Sequence, residues 1–359
     1  MIKESLCPLD CPDGCSLEVE LEKGRVTRIG GSHRNKVTQG FICAKVRRFP
    51  EMLYGKDRVD RPHLRQGPKG SGEYAPISWD EALDRITESF QTSIKTHGAQ
   101  SILPLSYGGS NGFLSQDTTD ARLFRRLGAS RLARTVCAAP TGAVTGGMYG
   151  KMPGVAYPDY EAANLIVVWG ANPNATGIHL LPYIKNARDK GAKLLVVDPR
   201  ETPLAKLADL HLPVIPGTDV VLALSMIRWL YSSGKADLEF LKRHALHSEE
   251  LQKRAEPWTF ERAGEISGCD PKQIEEFVRL YADASPAVLR CGWGLERNRN
   301  GGSAVAAVLA LPAVAGKFGL RGGGYTMSNS GAWGVDTDAA VAEPETRARE
   351  INMNKIGEV

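Results

Sequence analysis

The chain has 359 residues, and at roughly 150 residues per domain this length predicts two or three domains. Its content of 42% hydrophobic and 24% charged residues is ordinary for a globular protein. The net charge of +4 is modest and no apolar run is long enough to span a bilayer, so we expect neither nucleic-acid binding nor membrane insertion.

The first 55 or so residues predict a small β-rich domain that carries cysteines. Apolar and acidic residues alternate from Leu17, and Lys23-Gly24 then separates this run from a second one, which is typical of a β-hairpin. A polar stretch rich in glycine and proline, residues 61–76, predicts a linker.

A helix is predicted after this linker. Ser78 and Glu81 have the spacing of a capping box, the apolar residues that follow share one helical face, and Gly98 ends the helix. Residues 101–105 then predict a short strand.

The middle of the chain predicts a strand, a helix and a second strand at residues 165–170, 179–190 and 193–198. The first strand is continuously apolar, as expected for a parallel strand that is buried on both faces. This spacing fits one βαβ unit. Further helices are predicted at residues 218–231, 271–284 and 302–318. The fold class is therefore α/β.

Four of the seven cysteines lie within the first 43 residues, and this clustering predicts a metal site. The spacing of Cys7, Cys11, Cys15 and Cys43 places three thiols on one loop and one on a distant segment, which fits a 4Fe–4S cluster. The alternative is a structural zinc site, although zinc loops usually supply two ligands from each of two knuckles. An odd number of cysteines and a start without a leader segment predict a cytoplasmic protein.

These motifs resemble those of the molybdopterin oxidoreductases of the dimethyl-sulfoxide-reductase family. The four clustered cysteines match the iron–sulfur motif of that family, and Lys45 matches a lysine between its cluster and its pterin. Cys137, within residues 133–140, matches the position of the protein ligand to molybdenum or tungsten, for which a soft thiolate is suitable. By itself, an isolated cysteine is more often a small buried apolar residue.

The resemblance also implies a bis-molybdopterin guanine dinucleotide cofactor, held where parallel strands end. An acidic residue there can bond a ribose hydroxyl, an arginine can meet a phosphate, and Asp219 could accept hydrogen bonds from guanine. Tight turns would explain the glycines equally well. The predicted contact residues are Gly170, Asn172, Asp198, Arg200, Gly217, Asp219, Gly292 and Gly294.

The family resemblance implies a small N-terminal β-rich iron–sulfur domain followed by doubly wound parallel-sheet domains. Residues 1–56 would form the first domain, residues 57–130 and 258–335 a second pterin-contacting domain, and residues 131–257 a Rossmann-like dinucleotide domain. Residues 336–359 would begin a continuation that is cut short. We therefore expect a missing C-terminal domain, supplied by the same polypeptide or by another chain.

The function implied is that of a catalytic chain that passes electrons between a metal-bound small-molecule substrate and the cluster, and then to an electron-transfer protein or subunit. Formate dehydrogenases of the family have a histidine after the metal ligand, whereas this chain has Ala138, which disfavours formate oxidation. One alternative is a non-catalytic iron–sulfur electron-transfer subunit. Another is a zinc-stabilised binding module. The substrate is not predicted, because kinship of fold does not determine it.

Overall fold

The computed structural model of the chain describes residues 1–108, 117–329, 332, 334, 336–341 and 347–359. The strands are β1 (Ile2–Leu6), β2 (Ser16–Glu22), β3 (Arg25–Gly31), β4 (His63–Arg65), β5 (Tyr74–Pro76), β6 (Arg131–Ala133), β7 (Leu165–Trp169), β8 (Lys193–Val197), β9 (Leu210–Leu212), β10 (Ala287–Cys291), β11 (Gly324–Thr326) and β12 (Glu350–Asn352). The helices are α1 (Ala44–Arg47), α2 (Phe49–Leu53), α3 (Trp79–His97), α4 (Thr119–Leu127), α5 (Ala139–Tyr149), α6 (Leu180–Asp189), α7 (Asp219–Ser232), α8 (Leu238–His244), α9 (Ser248–Ala255), α10 (Phe260–Ser267), α11 (Pro271–Asp283), α12 (Gly301–Val314) and α13 (Thr337–Val341).

The chain divides into two compact units. Unit 1 comprises Met1–Asp10, Gly14–Thr135 and Val335–Val359, and unit 2 comprises Cys11–Asp13 and Val136–Gly334. No helix in the described ranges has both the length and the apolar content to cross a membrane.

Unit 1 begins with a three-stranded antiparallel sheet in the order β1, β2, β3. The predicted hairpin is confirmed, since β2 pairs with β3 and the turn between them consists of Lys23 and Gly24, whose φ angles are both positive. Such a turn matches the right-handed twist of the strands it joins. Leu17 and Ile29 are buried in a small apolar cluster beneath this sheet.

The predicted helix of unit 1 is confirmed as α3. The Ser78 hydroxyl accepts a hydrogen bond from the Glu81 backbone N–H at 3.0 Å, and Gly98 follows the last residue. None of the residues of α3, all of which the structure describes, is buried. Its apolar face therefore gains little from packing within this chain.

Two smaller predictions in unit 1 are wrong. The stretch predicted as a linker contains the antiparallel pair β4 and β5. Residues 101–105 form no strand: a short 3-10 turn covers Ala99–Ser101, and the Ile102 carbonyl accepts an isolated hydrogen bond from Ser130 N–H. Pro104 has no N–H to offer to a ladder, which explains why the pairing does not continue.

Unit 2 contains a five-stranded sheet in the order β11, β10, β7, β8, β9, and each of its strand pairs is parallel. If these five strands are numbered 1 to 5 in chain order and read from β9 to β11, their order in the sheet is 3-2-1-4-5. This is the order of a doubly wound fold. The predicted βαβ unit is confirmed as β7, α6 and β8, and the later predicted helices as α7, α11 and α12.

Both faces of the sheet are covered. All residues of β7 and β10 are buried, as a parallel sheet between two helical layers requires. Leu165, Val167 and Trp169 share one face of β7 and belong to a large apolar cluster that also contains side chains from α7, α11 and α12. This packing holds the ends of the strands, and the loops that follow them, in place.

The structure groups residues differently from the predicted domains. Strands from the predicted ranges 131–257 and 258–335 form one sheet, because β10 pairs directly with β7, and both ranges fall mainly within unit 2. The predicted ranges 57–130, 258–335 and 336–359 each contain positions that lie outside the described residues. The domain bounds therefore stay a prediction.

Candidate active site

Because the five strands of the sheet are parallel, the loops that follow them lie along one edge. The connections diverge between β7 and β10, since β7 leads to β8 on one side while β10 leads to β11 on the other. Doubly wound sheets bind ligands in the crevice at such a point. All eight predicted dinucleotide contacts follow strands β7 to β10, and the structure places them along this edge.

The loops after β7 and β10 meet through their backbones. Gly292 N–H donates to the Trp169 carbonyl at 2.9 Å, and Gly294 N–H donates to the Gly170 carbonyl at 3.3 Å. A Cβ atom on Gly292 would lie 2.0 Å from the Gly170 carbonyl oxygen, and Gly170 has a φ of +61°. These glycines are therefore required by the approach of the two loops, whether or not a cofactor is present.

Asn172 offers an unsatisfied polar atom at the same point. Its backbone carbonyl accepts hydrogen bonds from Ala175 and Thr176 N–H, which closes a turn after β7. Its side-chain Oδ1 is buried and has no hydrogen-bond partner among the residues that the structure describes. Buried polar atoms are rarely left without a partner, so this oxygen fits a hydrogen-bond donor from a bound ligand.

The loop after β8 has one residue turned inward and one outward. Asp198 is buried, and its Oδ1 accepts a hydrogen bond from the Arg200 backbone N–H at 2.8 Å. The Asp198 carbonyl accepts a hydrogen bond from His211 Nε2 at 2.9 Å. Arg200 itself is exposed. The aspartate thus shapes the turn, and the arginine presents a cation at the edge of the sheet.

Asp219 is held inside the protein. It is the first residue of α7, and its Oδ1 accepts a hydrogen bond from Trp169 Nε1 at 2.8 Å. Burial raises the pKa of this carboxyl group above its ordinary value, although the indole bond opposes the shift. Gly217 and Thr218, immediately before it, are partly exposed.

Cys137 is bonded to the loop that follows β10. It precedes α5 and is partly buried. The guanidinium of Arg297 donates from Nη1 to the Cys137 carbonyl at 3.2 Å and lies with Nη2 3.6 Å from the sulfur. The predicted metal ligand therefore lies beside the loop of Gly292 and Gly294, although 160 positions separate it from Arg297.

A buried carboxylate strengthens this connection. Glu296 Oε2 accepts hydrogen bonds from the Thr141 backbone N–H at 3.0 Å and from its hydroxyl at 2.6 Å. Thr141 lies in the first turn of α5, where free N–H groups and the helix dipole favour an anion. The sequence interpretation missed Glu296 and Arg297. The only signal in the sequence was an acidic and a basic residue that follow a Gly-x-Gly turn after one intervening leucine.

Three of the four clustered cysteines lie in unit 1. Cys15 belongs to the small buried cluster beneath the first sheet, and Cys7 and Cys43 pack against it. Cys7 N–H donates to the Cys15 carbonyl at 2.9 Å, and Cys43 lies at the start of α1. Cys11 groups with unit 2. Lys45 is exposed on α1, two residues after Cys43.

Comparison with known families covers almost the whole chain. The profile of the molybdopterin oxidoreductase Fe4S4 domain matches residues 1–55, and that of molybdopterin oxidoreductase matches residues 58–359. The chain belongs to the molybdopterin oxidoreductase family. The family resemblance and the fold class predicted from the sequence are both confirmed.

Individual relatives of this chain have different names. The probable oxidoreductase YoaE of Bacillus subtilis (strain 168) is 34% identical across 100% of this chain, and this chain covers 53% of it. The F420-dependent formate dehydrogenase subunit alpha of Methanocaldococcus jannaschii is 29% identical across 90% of this chain and 47% of its own length.

A solved structure shares the fold. Acetylene hydratase from Pelobacter acetylenicus aligns with a TM-score of 0.74 and 28% identity, over 89% of this chain and 44% of that one. The chain therefore spans about half the length of the relatives it matches.

The donor groups of this chain suit the cofactors that the name of its family implies. The four clustered cysteines form no disulfide and supply thiols, which are the ligands that iron–sulfur clusters require. At the sheet edge, Asn172 leaves a buried acceptor unsatisfied, and Arg200 presents an exposed cation that suits a phosphate. Cys137 adds a partly buried soft donor.

Proposed function

We propose that this chain is the cofactor-binding, catalytic part of a molybdenum- or tungsten-dependent oxidoreductase, with two pterin guanine dinucleotides and one 4Fe–4S cluster. The observation that carries the proposal is the placement of Cys137 beside the crevice between β7 and β10. Arg297 bonds its backbone, and Glu296 holds the following helix. A thiol fixed at the ligand-binding edge of a doubly wound sheet is suited to holding a metal there.

The chain would hold the dinucleotides through one buried and one exposed side chain. Asn172 Oδ1 would accept a hydrogen bond inside the crevice, and Arg200 would meet a phosphate at its rim. Asp198 and Gly217 would shape the loops around these contacts. Asp219 already accepts a hydrogen bond from Trp169, so any contact with guanine would use its remaining oxygen.

The cluster would be ligated by Cys7, Cys11, Cys15 and Cys43. Lys45 would lie between the cluster and a pterin. When bound, the metal and its pterins supply the redox chemistry of the substrate, and the cluster carries electrons to an external partner. The contribution of the protein is to orient these groups and to set their surroundings. Arg297 would place a positive charge near the ligand sulfur.

The substrate stays open within this proposal. Relatives are named for formate oxidation and for acetylene hydration, so kinship does not select one reaction. Ala138 follows the metal-ligand position and starts α5 without a side-chain cap, where a histidine would be expected for formate oxidation. The relatives are about twice as long, and we propose that the remainder, in the same polypeptide or another chain, closes the site.

Elemental analysis tests the proposal most directly. Protein purified without oxygen from a host that makes both cofactors should contain about four iron atoms per chain together with molybdenum or tungsten. X-ray absorption at the heavy-metal edge should show one sulfur ligand fewer in Cys137→Ala, while the iron content stays unchanged. Cys269→Ala, which alters a buried cysteine of the large apolar cluster, should change neither quantity.

Three results would redirect the assignment. Zinc in place of iron would favour the zinc-stabilised module. Iron with neither heavy metal, in protein assembled with the rest of its polypeptide or partner, would favour the non-catalytic electron-transfer subunit. An unchanged number of sulfur ligands in Cys137→Ala would remove Cys137 from the metal site.

A further inference from the structure

A buried aspartate and a buried histidine connect the Cys11–Asp13 segment to the loop between β7 and α6, and both of these parts belong to unit 2. Asp13 lies two residues after Cys11, and His179 lies directly before α6. His179 Nδ1 is 2.9 Å from Asp13 Oδ2, and the two side chains are 0% and 2% exposed, respectively. A carboxylate has no proton to donate, so the histidine ring donates from Nδ1.

The backbone around His179 is shaped to receive this segment. The same Asp13 Oδ2 accepts a second hydrogen bond, at 3.3 Å, from the His179 backbone N–H. Gly177 has a φ of +89°, and a Cβ atom there would lie 3.3 Å from Pro12 Cγ and 3.4 Å from the Tyr157 hydroxyl. Glycine thus allows the Cys11–Asp13 segment to lie against the loop between β7 and α6.

Stability alone explains this pair poorly. Removing a carboxylate from water is costly, and well-packed apolar side chains often stabilise a protein as much as a buried ion pair. Asp13 Oδ1 moreover has no hydrogen-bond partner among the described residues, so the carboxylate is only half satisfied. The pair does fix an orientation. Two hydrogen-bond donors from His179 hold both the Asp13 carboxylate and the backbone that carries it.

We propose that His179 is a positioning residue for the iron–sulfur cluster. By holding Asp13 through both its ring and its backbone N–H, it fixes the segment that carries Cys11 and thereby sets the direction of that thiol. Residues that orient ligands in this way commonly change metal affinity by about 10- to 100-fold when they are altered. This inference rests on the proposed role of Cys11 as a cluster ligand.

Two amide substitutions at His179 distinguish a positioning role, which needs a donor at one place, from a general need for a polar side chain. In His179→Asn, the side-chain amide N–H can occupy the place of Nδ1, whereas in His179→Gln the longer side chain carries its amide towards the place of Nε2. We expect the asparagine variant to release iron to a chelator at close to the wild-type rate. The glutamine variant should release iron at least about 10-fold faster, with an altered electron paramagnetic resonance spectrum of the reduced cluster.

Lys317→Met is the matched control for general destabilisation of unit 2. Lys317 is buried, and its Nζ donates to the carbonyls of Ala282 and Ala284 at 2.8 Å, so its removal also deletes a buried donor. We expect this variant to unfold at lower denaturant concentration without faster iron release and with an unchanged spectrum.

The inference is wrong if His179→Gln releases iron as slowly as the wild type, or if Lys317→Met accelerates the release equally. Cys11→Ser separates this failure from failure of the proposed function. A Cys11→Ser variant with its full iron content and an unchanged spectrum would show that Cys11 is not a ligand. Loss of the cluster in Cys11→Ser beside an unaffected His179→Gln would overturn the positioning role alone.

Discussion

The two units differ in how they obtain stability. In unit 2, the parallel sheet is buried on both faces, and its apolar cluster draws side chains from several helices. In unit 1, the small cluster beneath the first sheet contains five buried residues, one of which is Cys15. The long helix α3 buries no residue. Unit 2 therefore has a large core of its own, whereas the described residues of unit 1 form only a small one.

This difference matches the roles proposed for the two regions. A rigid sheet edge keeps its loops in place before any ligand arrives, which lowers the cost of binding. A small domain with few buried apolar residues can instead use metal ligation as part of its folding free energy. The comparison predicts that equivalent substitutions will have unequal effects in the two units.

The largest effect is expected from the loss of one cluster ligand. In Cys43→Ser, the iron content should fall from about four atoms per chain to near zero, because one thiolate is missing from the set. Hydrogen exchange should then accelerate in β1, β2 and β3 of unit 1, and stay slow in β7 and β10 of unit 2. Cys269→Ala serves as the control and should keep its iron. Full iron content in Cys43→Ser would contradict the ligand assignment.

The next largest effect is expected in the core of the sheet. Leu195 on β8 is fully buried, so Leu195→Ala should cost about 2–5 kcal/mol of unfolding free energy. Leu83 on α3 is 55% exposed, so Leu83→Ala should change it by no more than about 0.5 kcal/mol. Urea unfolding of both variants measures the contrast. An equal cost at Leu83 would mean that the apolar face of α3 is covered in solution, and would contradict the difference in stability between the units.

The smallest effect is expected at Asp219. Burial raises the pKa of its carboxyl in the folded state, so the folded protein binds a proton more tightly than the unfolded chain. The contribution of this group to stability is therefore full below the ordinary pKa of a carboxyl and is lost as the pH rises through the raised value. Asp219→Asn keeps an oxygen acceptor for Trp169 and removes the charge, so it should gain stability relative to the wild type as the pH rises.

Asp219→Leu provides the matched control for that experiment. It removes the charge but also leaves the Trp169 indole N–H without its acceptor, which should cost about 1–3 kcal/mol at any pH. Urea unfolding at about pH 5 and about pH 8 separates the two effects. If Asp219→Asn lost stability relative to the wild type with rising pH, the raised pKa would be wrong.

Much of the local structure could be predicted because it depends on neighbouring residues. The turn at Lys23 and Gly24, the cap at Ser78 and the buried run from Leu165 each follow from patterns a few residues long. The predicted linker and the predicted strand at 101–105 were wrong, because a local pattern does not show what a segment pairs with. Short segments have weak periodicity. The two strands within the predicted linker pair with each other, whereas Ile102 makes one hydrogen bond with Ser130 and no ladder forms.

The family, the α/β class and the residue types that suit its cofactors could be predicted from the sequence alone, because motifs and patterns along the chain carry them. Which residues meet depends on the tertiary structure. Arg297 reaches Cys137 across 160 positions, and His179 reaches Asp13 across 166. Contacts of this kind depend on the strand order of the sheet and on loops that cross between its strands. No local pattern encodes them, since they arise only when the whole core of unit 2 has packed.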